Sequence, residues 1–261
     1  PEIVEIEPDF ERITERVLTI YTAGTTCHTV KRFKDTRHQE WLDRKRSRVI
    51  EGIHWTSFKA YISRQLSESQ VAELDNSTDR LLASVEDPER EGDWQSRGLV
   101  IGDVQSGKTT HFIGFANKAI DTGYKVVVVL SGLHNNLRRR TQIRFEEGVS
   151  GWNTQTKQNE RPFCGVSDPR PENIDPYHLK IGHLTTRDDK GDFLSNQESG
   201  LKLGRECIYS INKKNFRTLE NLIEYFSTEL EGVSDRGSVP LLLIDDEADN
   251  ASIDTSKSDE E

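Results

Sequence analysis

The octapeptide Gly102-Asp103-Val104-Gln105-Ser106-Gly107-Lys108-Thr109 follows the apolar run Leu99-Val100-Ile101 and precedes a helix-periodic stretch closed by Gly123. A GxxxxGK[ST] pattern in that setting constrains the fold to strand, tight turn and helix. The glycines let successive N–H groups turn toward one anion, and the helix aims its positive dipole end at the same point. There Lys108 would reach the β- and γ-phosphates, and the Thr109 hydroxyl would coordinate Mg²⁺. Gly102, Gln105, Ser106, Gly107, Lys108, Thr109 and Thr110 are the candidate cofactor-binding residues, with ATP and Mg²⁺ as the expected ligands.

Around this motif strands and helices alternate. Leu99 to Ile101, Val126 to Leu130, Leu179 to Leu184, Glu206 to Ile211 and Leu241 to Ile244 read as strands. Helices are expected over Thr109 to Thr122, from the second strand through Arg144, and over Phe216 to Leu230, with Leu219, Leu222, Ile223 and Phe226 on one stripe. Gly148 to Tyr177 reads as a long loop. The alternation predicts an α/β fold with a parallel sheet. Residues 1–92 read as a mostly helical N-terminal region, with Ile50, Ile53 and Phe58 at helical spacing, and residues 93–261 as the α/β domain. The polar stretch Glu86 to Asp93 marks the expected boundary.

A second chemical signal ends the last strand, where Leu241-Leu242-Leu243-Ile244 runs into Asp245-Asp246-Glu247-Ala248-Asp249. A parallel strand delivers these acids to the C-terminal sheet edge, where the phosphate motif also lies. Beside such a motif one acid holds Mg²⁺ and the next orients water. The tetrapeptide Asp246 to Asp249 resembles the DEAD sequence of superfamily-two helicases. That resemblance makes Asp246 the metal acid and Glu247 the base, with Asp245 as the alternative metal ligand.

Composition excludes several classes. The net charge of −10 and pI near 5.3 argue against a surface coated in positive charge. Cys27, Cys164 and Cys207 are odd in number and lack CxxC spacing, which indicates neither a disulfide framework nor a zinc site. A reducing, cytoplasmic setting is expected, with no membrane association, because no apolar run approaches the ~18 residues of a transmembrane helix. The sequence begins at Pro1 and contains no methionine, so it is expected to be part of a translation product. Eight Lys/Arg against three acids between Lys31 and Arg48 give either a solvated helix face or a partner contact.

The region 98–252 resembles a narrower family, the Z-one domain family named for restriction endonucleases. The residues that carry the resemblance are Gly102 to Thr109, Gly123-Tyr124, Asn136-Leu137-Arg138, Thr141-Gln142, Arg144, Leu184-Thr185-Thr186, Lys213-Lys214-Asn215 and Ile244 to Ser252. The resemblance implies a RecA-like, DEAD-type ATPase core associated with DNA restriction or phage defence. Arg140 stands where that family has Gln. The chain ends nine residues after Ser252, so the second RecA-like domain of such a motor is expected to be missing from it, and the isolated chain to turn over very slowly. No nuclease constellation is visible.

By the same resemblance, the segment His134 to Arg144 lies where helicases touch the nucleic-acid backbone. Arg138, Arg139, Arg140 and Arg144 either neutralise DNA phosphates or pair with Glu146 and Glu147, and Lys213 and Lys214 have a similar claim. Trp94 and Gln95 either contact adenine or pack the domain boundary. The expected activity is ATP hydrolysis by a helicase-like translocase subunit acting on double-stranded DNA beside a restriction endonuclease or other defence-system subunit. A nucleotide-gated assembly switch and a nuclease in its own right are the alternatives.

Overall fold

The computed structural model describes residues 38–100, 107–155, 162–168, 179, 181–193, 207–231 and 239–248. They belong to one compact unit, residues 37–261; residues 1–36 lie outside the described set, as does part of the basic stretch that begins at Lys31.

After a 3₁₀ turn at Leu42–Lys45 come α1 (Arg46–Ile50), α2 (Ile53–Ile62), α3 (Glu68–Leu82) and α4 (Lys108–Thr122). Next are β1 (Val126–Leu130), α5 (Asn135–Phe145), β2 (Gly182–His183), β3 (Ile208–Asn212), α6 (Phe216–Glu231) and β4 (Leu241–Asp245). Among the described residues the strands form one sheet in the order β2-β3-β1-β4, and every pairing is parallel. The α/β class with a parallel sheet is therefore as the strand–helix alternation predicts.

The side-chain period of two divides β1 between two cores. Val127 and Val129, with Tyr209, Ile211 and Leu242, face α2, α3 and α4. Val126 and Val128, with Ile208, face Leu222, Tyr225 and Phe226 of α6. Full burial of each valine contributes about 1.5–3 kcal/mol, which makes β1 the axis of the fold. On α6 the packed stripe holds Leu222 and Phe226 as expected, but Ile223 is 66% exposed and Tyr225 packs instead.

Residue 92 does not separate two cores. Trp41, Trp55, Phe58, Val71, Leu74 and Leu82 share a cluster with Ile113, Ala116, Val127 and Tyr209. Lys118 of α4, fully buried, donates to Asp75 Oδ1 at 2.6 Å and Asp79 Oδ1 at 2.5 Å, and lies 4.1 Å from the Trp55 ring centroid. The segment at 86–93 is a strap rather than a linker. Glu86 is buried and accepts from His38 Nδ1 and Arg90 Nη1, while Tyr124 Oη donates to its main-chain oxygen. Lys45 and Arg48 pair with Glu89, and Arg46 with Asp79, so this part of the basic cluster belongs to internal ion pairs.

Helix ends explain two departures from simple periodicity. The helical pattern at Ile50, Ile53 and Phe58 is broken at Gly52; Phe58 is buried, whereas Ile50 is exposed. The first turn of α2 is capped from afar, since Asp121 accepts from the N–H groups of His54 (3.1 Å) and Trp55 (2.8 Å). α3 carries a local signal, the Ser67–Gln70 capping box. Leu99 and Val100 do not form the expected strand. They are 74% and 56% exposed and pair with no strand among the described residues.

Candidate functional site

Because all strands are parallel, β1, β3 and β4 end at one edge, with Leu130 level with Asn212 and Asp245. The three turns that follow bring together Gly132, Lys213, Lys214, Asp246 and Glu247. The N–H of Asp246 donates to Leu130 O at 2.9 Å, and that of Lys214 to Gly132 O at 2.8 Å. Gly132 has φ +85°, where a side chain would be strained, and a Cβ there would also meet Leu137 at 3.2 Å and Glu247 Oε2 at 3.9 Å.

The acidic turn is held under tension. Glu247 has φ +55°, the left-handed region, which costs a non-glycine residue about 1–2 kcal/mol. Lys214, nearly fully buried, donates to Glu247 O at 2.7 Å and to Asp245 Oδ1 at 2.7 Å. Asp245 is thus the last strand residue with its carboxylate engaged by Lys214. Asp246, one position on, has its carboxyl raised above the usual range by burial and by Glu247. Lys108 and Lys214 act on it in the opposite direction.

Lys108 reaches this edge on a helix that packs against β4. It opens α4, whose N-cap residue, Gly107, has no side chain to offer its first N–H groups. The preceding Gly107 has φ +78°, a conformation that glycine adopts without strain. Lys108 is exposed, and Thr109 and Thr110 are half-buried. Thr109 Oγ1 accepts a hydrogen bond from Arg144 Nη1 at 3.1 Å. Gly102, Gln105 and Ser106 lie outside the described residues.

The α5 arginines part company. Arg138 is fully buried and donates to the main-chain oxygens of Thr186 (2.9 Å), Asp188 (2.6 Å) and Gly191 (3.3 Å), so it pins a loop and cannot meet a DNA phosphate. Arg139 is exposed and donates to Arg187 O; Arg140 is exposed. Arg144 lies against Thr109 rather than along a separate track. Lys213 is 3.5 Å from Asp192 Oδ2, and Lys214, buried under the acidic turn, is also withdrawn from DNA. The alternative pairing of these arginines with Glu146 is not seen, because Glu146 pairs with Arg187.

That pair belongs to a buried polar network that sequence reasoning did not find. Gln142 Nε2 donates to Glu146 Oε1 at 2.8 Å, Thr154 Oγ1 to the same atom at 2.7 Å, and Thr185 Oγ1 to Gln142 Oε1 at 2.8 Å. Thr185 Oγ1 also accepts from Ile211 N of β3 at 2.9 Å. The network ties α5 and the 184–187 segment to the sheet. Its one sequence signal was the polar pair Thr141-Gln142 inside a helix.

Trp94 meets Tyr124 edge-on at 6.2 Å between centroids, which is the packing alternative for that residue. His111 bonds Ser77 Oγ at 2.6 Å. Burial pushes the thiols of Cys164 and Cys207 up to about 12, so both stay protonated and unreactive at neutral pH.

The edge presents a helix N-terminus, a lysine, a threonine hydroxyl and two carboxylates, which suit an anion accompanied by a hard cation. Among the described residues no three or more His, Cys, Asp or Glu side chains form a metal cage. Mg²⁺ rarely uses one; it is held by one or two carboxylates together with substrate phosphates. Thr109 and Asp246 fit that donor set. Among the described residues no helix is long and apolar enough to cross a membrane. Compared with known proteins, the chain matches no family model, no curated protein and no solved structure.

Proposed function

We propose that this chain is a RecA-like ATPase domain that binds ATP–Mg²⁺ at the C-terminal edge of its sheet and hydrolyses the γ-phosphate. The observation that carries the reading is the packing of α4, which Lys108 opens, against β4, which runs into the acidic turn at Asp246 and Glu247. Lys108 binds the β/γ-phosphates, and the first N–H groups of α4 add donors to the same anion. Bound Mg²⁺ would neutralise charge developing on the phosphoryl oxygens. Thr109 and Asp246 would hold it. Glu247, swung out of the strand by its left-handed turn, orients the attacking water. The test is equilibrium binding of a non-hydrolysable ATP analogue with and without Mg²⁺. Wild type should bind more tightly with Mg²⁺, and Asp246→Ala should lose that difference; a retained difference would refute the metal assignment.

The finer reading is a helicase-like DNA translocase subunit of a cytoplasmic restriction or phage-defence complex, acting on double-stranded DNA beside a nuclease subunit. Its support is the sequence resemblance together with the exposed Arg139 and Arg140. A second reading, a nucleotide-gated assembly switch, is favoured by the internal use of Arg138 and Lys214, which removes two of six candidate DNA contacts. Stimulation of hydrolysis by duplex DNA separates them.

A further inference from the structure

Arg144 was expected to face DNA, yet its guanidinium lies on the hydroxyl that the nucleotide reading assigns to Mg²⁺, with Nη1 3.1 Å from Thr109 Oγ1. Thr109 is in the first turn of α4 and Arg144 in the last turn of α5. Two elements that diverge in sequence are therefore joined at the mouth of the site by one exposed cation. The threonine hydroxyl is neutral, so this contact brings the guanidinium no counter-charge, and it uses one of five N–H donors.

The arrangement cannot survive nucleotide binding unchanged. A Mg²⁺ ion on Thr109 Oγ1 would repel the guanidinium that now hydrogen-bonds the same oxygen. The nearest counter-anion would be the triphosphate, and a planar fork of donors matches two non-bridging phosphate oxygens. Of the buried polar side chains of α5, Arg138 is fixed on the 186–191 loop and Gln142 on Thr185 and Glu146, so neither can substitute. We propose that Arg144 is a binding residue of the nucleotide site, moving from Thr109 to the terminal phosphate and so selecting nucleoside triphosphate over diphosphate. This rests on the ATP-binding reading above.

The experiment compares the 261-residue chain with its Arg144→Ala, Arg144→Lys and Lys108→Ala variants. Dissociation constants are measured for a non-hydrolysable ATP analogue and for ADP, each with Mg²⁺. Loss of a charge-assisted phosphate contact should weaken the triphosphate about 10- to 100-fold in Arg144→Ala. ADP binding should change less than about threefold, and Arg144→Lys should recover part of the loss without the paired geometry. Equal loss of both nucleotides, no loss of either, or tighter triphosphate binding from removing a guard on Thr109 would each overturn the proposal. If Lys108→Ala abolishes binding while Arg144→Ala leaves both constants unchanged, only the role of Arg144 fails. If Lys108→Ala binds as wild type, the ATP reading itself fails.

Discussion

Lys214 holds the main-chain oxygen of Glu247 at 2.7 Å, from a strand end 33 residues earlier, and with it the left-handed turn that presents the Glu247 carboxylate. Lys214→Met should therefore destabilise the fold by about 1–3 kcal/mol, because Glu247 O and the Asp245 carboxylate lose their donor. Its neighbour Lys213, half-exposed and 3.5 Å from Asp192, should cost about 0–1 kcal/mol on the same change. Urea unfolding of the two variants checks this; equal losses would place Lys214 at the surface.

Burial likewise sorts the arginines of α5. Arg138→Ala removes the side-chain donor of Thr186 O and one of two donors from each of Asp188 O and Gly191 O, and should cost about 1–3 kcal/mol. Arg140→Ala, at an exposed position, should stay within about 0.5 kcal/mol. If this face meets DNA, Arg139→Ala and Arg140→Ala should each lower the salt slope of affinity by about one unit. A slope change of that size in a folded Arg138→Ala protein would contradict its burial.

Glu247 links strain to chemistry. Glu247→Gly relieves the left-handed φ and should gain about 1 kcal/mol of stability while abolishing hydrolysis. Glu247→Gln keeps the shape and should bind ATP normally with little turnover. A Glu247→Gly protein less stable than wild type would show that the turn is not strained.

Much of this was legible in the sequence, and the limits have physical causes. Val126 to Leu130 and Leu241 to Ile244 could be read as strands because buried parallel strands are continuous apolar runs. The start of α4 beside Lys108 and the end of β4 at Asp245 were legible because a glycine before a helix-periodic stretch and an apolar run before acids are local signals. Leu99 to Ile101 has the same apolar texture, yet Leu99 and Val100 stay outside the sheet, and pairing is what composition does not reveal. Arg138 and Lys214 misled because a basic side chain looks alike whether it serves a ligand or a buried carbonyl. Only the parallel register decides that Lys214 lies beneath Glu247.

Two buried groups set opposing pH dependences where α2 meets α4. Asp121 is pushed up to about 7 by burial, despite the N–H groups of Trp55 and His54. Native protein then keeps a proton that the unfolded chain loses near 3.8, so its contribution is present below about 4 and lost as pH rises toward 7. His54 is pushed down to about 4 by burial, partly offset by its bond to Val149. Its contribution is present above 6.5 and lost as pH falls toward 4. Relative to wild type, Asp121→Asn should make stability rise more steeply with pH between about 4 and 6.5, and His54→Asn should make it fall, each by at most about 1.4 kcal/mol per pH unit. Denaturant titrations across that range decide; changes of the same sign in both variants would contradict the assignment.

The central claim is that Lys108 and the acidic turn form one nucleotide site, and equilibrium binding of a fluorescent, non-hydrolysable ATP analogue tests it most directly. In the presence of Mg²⁺ the wild-type chain should bind saturably with one site per chain. A folded Lys108→Ala variant should lose at least about tenfold in affinity, as expected for a charge-assisted phosphate contact. Undiminished binding by Lys108→Ala, or no saturable binding by the wild type, would contradict the account.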